Sequence, residues 1–274
     1  MPLPAGSRTS GAAAFFDLDK TIIATSSTLA FSRPFFDNGL ISRTSVIRSM
    51  YAQLVYLAGG ADHDQIERMR RYLTGLTNGW EAETVRQIVA ETLHSVVDPL
   101  VYDEALELIH DHQARSREVV IVSTSGSDVV EPIAELLGIS SVIATRLEVA
   151  DGRYTGEIAF YAYGDNKATA MTELADRRGY DLRDCFAYSD SATDLPMLRA
   201  VGHPYAVNPD KLLRREAVER GWPVLDFSRP IALRNSRARQ ARRATMAAVA
   251  VGAGAAAAGA VAVVTRRGQR LPAK

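Results

Sequence analysis

The first apolar run of the chain, residues 12–16, ends abruptly on Asp17. An unbroken stretch of this length with polar residues beyond it reads as a strand buried on both faces, as the strands of a parallel sheet are. Runs of the same kind recur at 119–122, 141–145, 184–188 and 204–207. Between and after them the apolar spacing changes to that of amphipathic helices, at 128–137, 167–178, 194–200 and 211–220. Strand and helix in alternation predict an α/β fold, a doubly wound parallel sheet of Rossmann-like type. Residues 146–158 read as a hairpin turned at Asp151-Gly152.

The pattern differs between the first two strands. Helical periodicity runs through 42–57, 62–73, 81–94 and 99–116, broken by Leu57-Ala58-Gly59-Gly60 and by 74–79. A helical cap over 25–116 is therefore expected, inserted into a core made of 1–24 and 117–230. Beyond the core the composition shifts again. Residues 231–243 form a basic linker with Arg234, Arg237, Arg239, Arg242 and Arg243, and 266–274 a basic tail with Arg266, Arg267, Arg270 and Lys274. The stretch 244–265 between them is uncharged and rich in Ala, Val and Gly. As a helix, 245–265 would extend for ~31 Å, close to the hydrocarbon thickness of a bilayer. A C-terminal hydrophobic, transmembrane helix is expected there, although Ala drives insertion less than Leu, Ile, Phe or Val.

Composition narrows the remaining choices. The 274 residues carry a formal net charge of zero, so no basic field points to nucleic acid. A single cysteine, Cys185, cannot form an internal disulfide, and residues 1–11 do not read as a secretory signal. A cytoplasmic catalytic domain anchored to the cell membrane by its C-terminal helix is the expected location. The five histidines are scattered; His110 and His112, two apart on a helix, face different ways and suit no shared metal.

Four clusters at strand and helix ends carry the chemistry: Asp17-Leu18-Asp19-Lys20-Thr21, Ser123-Thr124-Ser125-Gly126, Lys167, and Asp190-Ser191-Ala192-Thr193-Asp194. A carboxylate can attack phosphorus and hold the phosphoryl group, and a second one two positions on can protonate the leaving oxygen and then activate water. Charge that spreads over the transferring oxygens calls for a lysine, hydroxyls and N–H donors, supplied by Lys167 and by the Ser123 to Gly126 turn with Ser123 and Thr124. Asp190 and Asp194 add hard oxygen donors, which favour Mg²⁺ over a soft metal. A Ca²⁺ loop starting at Asp17 is excluded, because Ile22 and Thr28 stand where glycine and a bidentate glutamate are needed. Thr193 reads as the cap of the helix that follows.

In these clusters the chain resembles the haloacid dehalogenase-like hydrolases, within them the phosphoserine phosphatase-like branch, over roughly residues 12–227. The resemblance implies that Asp17 is the nucleophile, Asp19 the general acid and base, and Thr21 a loop-stabilising hydroxyl among the phosphate-binding residues. It also implies that Ser123 and Lys167 bind phosphate and that Asp17, the Asp19 carbonyl and Asp190 hold Mg²⁺, with Asp194 in support. The implied activity is hydrolysis of a small-molecule phosphate ester, small or lipid-derived. Two departures stand out. Where that branch places a glutamate to meet a substrate ammonium, this chain has Thr25-Ser26-Ser27-Thr28 and no acid before Asp37; and Ser189 replaces the glycine before Asp190. Arg68, Arg70 and Arg71 are candidates for an anionic group of the substrate. The alternatives are phosphoserine phosphatase itself and a membrane-anchored regulatory protein with a slow phosphate-binding site.

Overall fold

The computed structural model describes residues 11–41 and 75–230. Its seven strands are β1 Ala13–Phe16, β2 Glu118–Gly126, β3 Ser141–Ala150, β4 Arg153–Phe160, β5 Phe186–Ser189, β6 His203–Val207 and β7 Val224–Leu225. They form one sheet in the order β4-β3-β2-β1-β5-β6-β7. Every neighbouring pair is parallel except β3 and β4. From β1 the chain builds outward through β2, β3 and β4, then crosses back and builds β5, β6 and β7 on the other side. The order thus reverses at β1, and in open α/β sheets a crevice opens at the carboxyl ends of the strands at such a reversal.

The helices, numbered among the described residues, are α1 Ser27–Ala30, α2 Ser32–Asp37, α3 Ala82–Val97, α4 Asp103–Ala114, α5 Ser127–Leu136, α6 Asp165–Arg178, α7 Leu195–Arg199 and α8 Lys211–Arg220. All four residues of β1 are fully buried, as a central strand covered on both faces must be. Alternation divides its side chains between the faces. Ala13 and Phe15 join Val120, Val122, Cys185 and Ala187 in one layer, packed with Met171 of α6, Met197 and Leu198 of α7, and Leu213 and Ala217 of α8. The opposite face is aromatic: the ring of Phe16 stacks on Tyr188 at 4.2 Å, and Tyr188 on Tyr205 at 4.9 Å. Helix α4 covers that face against β1 and β2. Its buried His112 lies 2.9 Å from the Tyr188 hydroxyl.

Residues 103–114 are thus part of the layer on the sheet, whereas the sequence pattern groups them with the helical insertion. Helix α3 packs on α5 instead. Arg86 of α3 and Tyr154 of β4 both reach Asp128 of α5, at 3.2 and 2.8 Å. The expected helices at 42–57 and 62–73, Arg68, Arg70 and Arg71, and everything from 231 onward, including the expected membrane helix, lie outside the described residues. Among the described residues no helix is long and apolar enough to cross a membrane.

The structure departs from the sequence pattern in places. The separate strand at 141–145 and the first arm of the hairpin are one continuous β3, parallel to β2 along its first half and antiparallel to β4 along its second. Asp151 and Gly152 turn the hairpin with φ of 50° and 76°, the left-handed pair that a tight two-residue turn demands. The short elements α1, α2 and β7 leave no periodic signal, since two to six residues are too few to show one.

Candidate active site

Asp17 lies one residue past β1, and its N–H donates to the Tyr188 carbonyl at 2.9 Å, so it keeps the geometry of the strand. The chain then folds sharply. The Leu18 carbonyl accepts from the N–H groups of Ile22 and Ile23 at 2.9 and 3.1 Å, and Lys20 adopts a φ of 60°. That turn brings Asp19 to a separate set of donors: its Oδ1 accepts from the Ser27 N–H at 2.9 Å and its Oδ2 from the Ser125 hydroxyl at 3.1 Å. The Ser27 hydroxyl in turn donates to Ser125 at 2.7 Å. Two carboxylates of one short loop are therefore held by different partners. Thr21 is fully buried and its hydroxyl has no hydrogen-bond partner among the described residues, so it is the backbone that holds this loop.

Lys167 enters from the first turn of α6. Gly164 at φ 54° and ψ −124° makes the sharp entry into that helix, a conformation that suits glycine. The lysine is 2% exposed, and its Nζ donates to Asp17 Oδ1 at 2.8 Å and to Asp194 Oδ2 at 2.9 Å. Ser189 adds a hydroxyl bond to Asp194 Oδ2 at 2.8 Å, a contact that a glycine there would lack. From β2, Ser123 is buried, and its Oγ accepts from the Ser125 N–H at 3.2 Å. Thr124, expected among the phosphate-binding hydroxyls, donates instead to the Ala162 carbonyl at 2.9 Å, tying the end of β2 to the loop that leads into α6.

The Asp190 loop is held by a residue that the motifs did not single out. The N–H of Asp210 donates to the Asp190 carbonyl at 2.8 Å, while its carboxylate accepts from Ala192 at 2.8 Å and caps α8 through Leu213 at 2.7 Å. The capping half of that role was visible in sequence, as an acid just before a helix; the second bond depends on the fold. Thr193, expected to cap the helix that follows, does not: Asp194 takes the N-cap position of α7 without a side-chain cap bond, and Ser191 caps the short 3-10 turn before it, its hydroxyl accepting from the Thr193 N–H at 3.3 Å.

Burial in this crevice penalises charge, and the acids crowd each other. Asp17 is pushed well above the usual carboxylate range by desolvation, with Asp194, Asp190 and Asp19 adding to it against the pull of Lys167. Desolvation likewise raises Asp190, to about 7, opposed by Lys20, and raises Asp19 against the bonds from Ser27 and Ser125. Burial alone would lower Lys167, but Asp17 and Asp194 outweigh it and hold the ammonium charged. Carboxylates thus outnumber the cations that face them, which is what a divalent cation relieves. Among the described residues no three His, Cys, Asp or Glu side chains form a ready-made cage. Mg²⁺ does not require one, since it is commonly held by one or two carboxylates with water and substrate phosphate. The donor set of Asp17, Asp190 and the Asp19 carbonyl fits that pattern.

Comparison with known proteins agrees with this geometry. The family model of the haloacid dehalogenase-like hydrolases matches residues 14–199. A Streptomyces azureus protein named for inhibition of morphological differentiation is 63% identical over 223 residues, covering 81% of this chain and 80% of its own. A Mycobacterium tuberculosis protein that bears the name "Probable phosphatase" is 60% identical over 223 residues, covering 81% and 78%. Among solved structures, a phospho-aspartyl intermediate analogue of phosphoserine phosphatase superposes with a TM-score of 0.59 at 20% identity, over 83% of this chain and 97% of that one, and so shares the fold. With its four motifs gathered at one rim and the family model matched from the first to the last of them, this chain belongs to the haloacid dehalogenase-like hydrolases, as a phosphatase.

Proposed function

We propose that the chain is a Mg²⁺-dependent phosphomonoester hydrolase that works through an aspartyl phosphate on Asp17. One observation carries the reading: Asp17 and Asp19 sit two residues apart in one loop, one against a buried ammonium and the other against a hydroxyl and an N–H. Such a pair divides the labour. An Asp17 oxygen attacks phosphorus while the bond to the ester oxygen breaks, and Asp19 delivers its proton to the departing alkoxide. Asp19, now a carboxylate, takes a proton from water as that water attacks the acyl phosphate, and inorganic phosphate leaves with Asp17 restored. Lys167 keeps Asp17 oriented and offsets negative charge on the phosphoryl oxygens, with Ser123 at their side. Mg²⁺ held by Asp17, Asp190 and the Asp19 carbonyl would supply further charge stabilisation.

The substrate we infer is a small or lipid-derived phosphate ester without an ammonium beside the phosphate. The segment that would meet such a group carries Ser26 and Ser27, both buried, and Ser27 is committed to Asp19 and Ser125. The tail extends the reading. The length of the neutral, Ala-rich stretch supports a membrane anchor at 245–265, the single cysteine of the chain supports a catalytic domain on the cytoplasmic side, and release of the full chain by carbonate washing would rule the anchor out.

The test is phosphate release by the full chain with Mg²⁺ or with chelator, over phosphoserine, sugar phosphates, glycerol phosphate and lysophosphatidate, beside Asp17→Asn. Metal-dependent release that disappears in Asp17→Asn is expected, with phosphoserine a poor substrate; turnover retained by Asp17→Asn would exclude the aspartyl phosphate.

A further inference from the structure

The last described residues do not trail away from the core but run along the rim of the site. Asn208, just past β6, donates its N–H to the Leu225 carbonyl at 2.9 Å. Its side-chain amide pairs with Phe227 in both senses, donating from Nδ2 to the carbonyl at 3.0 Å and accepting at Oδ1 from the N–H at 2.9 Å. It therefore acts as one more strand residue, prolonging the β6–β7 pairing beyond Val207 and Leu225. Two residues on, Asp210 holds the Asp190 loop by two bonds of 2.8 Å.

The other side of this strap is pinned as firmly. Tyr102 packs its ring against Phe227 at 5.8 Å, its hydroxyl faces the Asn208 amide, and its N–H donates to the Ile22 carbonyl at 2.9 Å. The Asp103 N–H donates to the Arg229 carbonyl at 3.0 Å, and Glu104 accepts from Ser228 and Arg229 at 3.2 and 3.1 Å. Residues 224–230 are thereby bonded both to the end of β6 and Asn208, two residues before the Asp210 that holds the Asp190 loop, and to residues 102–104, whose Tyr102 pairs with Ile22 just beyond the Asp17 loop.

We propose that Asn208 is a positioning residue for Asp190, and that the strap at 224–230 is a working part of the active site which fixes the spacing between the Asp190 and Asp17 loops. This rests on the Mg²⁺-dependent phosphatase reading. It differs from plain stabilisation in what it predicts: a loosened strap lets Asp190 drift, which weakens the hold on the metal and leaves the grip on the ester to Lys167 and Ser123. Substitutions behind metal ligands typically cost about 10- to 100-fold in metal affinity or activity.

Asn208 has a φ of 42°, so alanine would add backbone strain, whereas Asn208→Gly removes the amide alone. Asn208→Asp keeps the acceptor for the Phe227 N–H and loses the donor. Tyr102→Phe keeps the ring and loses the hydroxyl, and it carries the test together with Asn208→Asp should the glycine variant fail to fold. Each full-length protein is titrated with Mg²⁺, following the metal-induced rise in melting temperature and, separately, phosphate release from the best ester. Asn208→Gly is expected to need about tenfold more Mg²⁺ in both assays. Asn208→Asp and Tyr102→Phe should fall between it and the parent, and KM for the ester at saturating metal should stay within about twofold, since no group assigned to the ester is altered. Parental Mg²⁺ titrations in all folded variants, with the parent active, would overturn the role of Asn208 and leave the phosphatase reading standing; a parent inactive on every ester would overturn both.

Discussion

Lys167 Nζ stands 2.8 Å from Asp17 Oδ1 and 2.9 Å from Asp194 Oδ2, with all three side chains within 9% of full burial. One ammonium serves two buried acids, so its removal leaves two carboxylates without their counter-charge. Breaking a buried pair from one side costs about 3–5 kcal/mol. Lys167→Met should lose about that much in urea unfolding, together with about 10²- to 10³-fold in kcat, the usual loss for a donor to transition-state charge. Lys167→Arg should recover stability better than turnover, because a planar guanidinium cannot take the place of a compact ammonium. Near-parental turnover in Lys167→Met would remove the lysine from the chemistry.

Asp19 is set apart from Asp17 by its partners, Ser27 and Ser125. Both bonds favour its charged form and pull against the burial that raises it. Ser125→Ala removes one of them, so the Asp19 carboxyl should rise further. As the acid that protonates the leaving group, Asp19 works while it holds its proton, and the alkaline limb of the kcat profile should move to higher pH by roughly one unit or less. An unmoved limb alongside reduced kcat would instead mean that Ser125 touches the substrate.

Asp190 is raised to about 7 by desolvation, with Asp194 and Asp210 adding to it against Lys20 and Lys167. An acid with a higher pKa folded than unfolded binds more protons in the folded state. Its contribution therefore turns unfavourable as pH rises from about 4 towards 7, and the metal-free protein should lose stability across that window. Asp190→Asn should flatten this slope and make the metal-free chain more stable at pH 8 by roughly 1–3 kcal/mol, while phosphate release collapses. Chemical unfolding with and without chelator at pH 5 and 8 reads both effects; a metal-free Asp190→Asn protein no more stable than its parent at pH 8 would show that the carboxylates are not in conflict.

Much of this was legible in the sequence where a local rule governs. The apolar run before Asp17 marks a central strand because burial on both faces leaves no room for polar residues, and Asp151-Gly152 marks the turn between β3 and β4 because two left-handed residues in succession suit few other pairs. Lys167 was legible only through its company, for nothing in a helical lysine announces that its ammonium ends between Asp17 and Asp194. What escaped are roles set by pairs distant in sequence. Thr124 reads like a phosphate-binding hydroxyl until the fold brings Ala162 to it, and Asp210 reads as a cap until Ala192 arrives. The helical pattern of α4 is the same whether it belongs to an insertion or to the sheet, and its packing on β1 and β2, with His112 against Tyr188, decides.

His112 also makes a measurable claim on stability. It is 2% exposed, lies between the Tyr188 hydroxyl at 2.9 Å and the Arg117 guanidinium at 3.3 Å, and has aromatic rings on several sides. Arg117 can only donate, so the ring nitrogen facing it must accept and the other must carry the proton towards Tyr188, which makes the imidazole neutral. Burial, with Arg117 in support, lowers His112 to about 4 from its ordinary 6.5. Between those values the unfolded chain takes up a proton that the folded chain refuses, so stability is full above about pH 6.5 and falls as the pH drops towards 4, by up to about 3 kcal/mol. His112→Gln places an amide nitrogen near the Tyr188 oxygen without a titrating group. Compared with the parent at pH 5 and pH 7.5, it should lose less stability on acidification, with Asp190 acting in the opposite sense in both proteins. Equal losses in parent and variant would mean that His112 is protonated in the folded state and that the acid sensitivity of this phosphatase lies elsewhere.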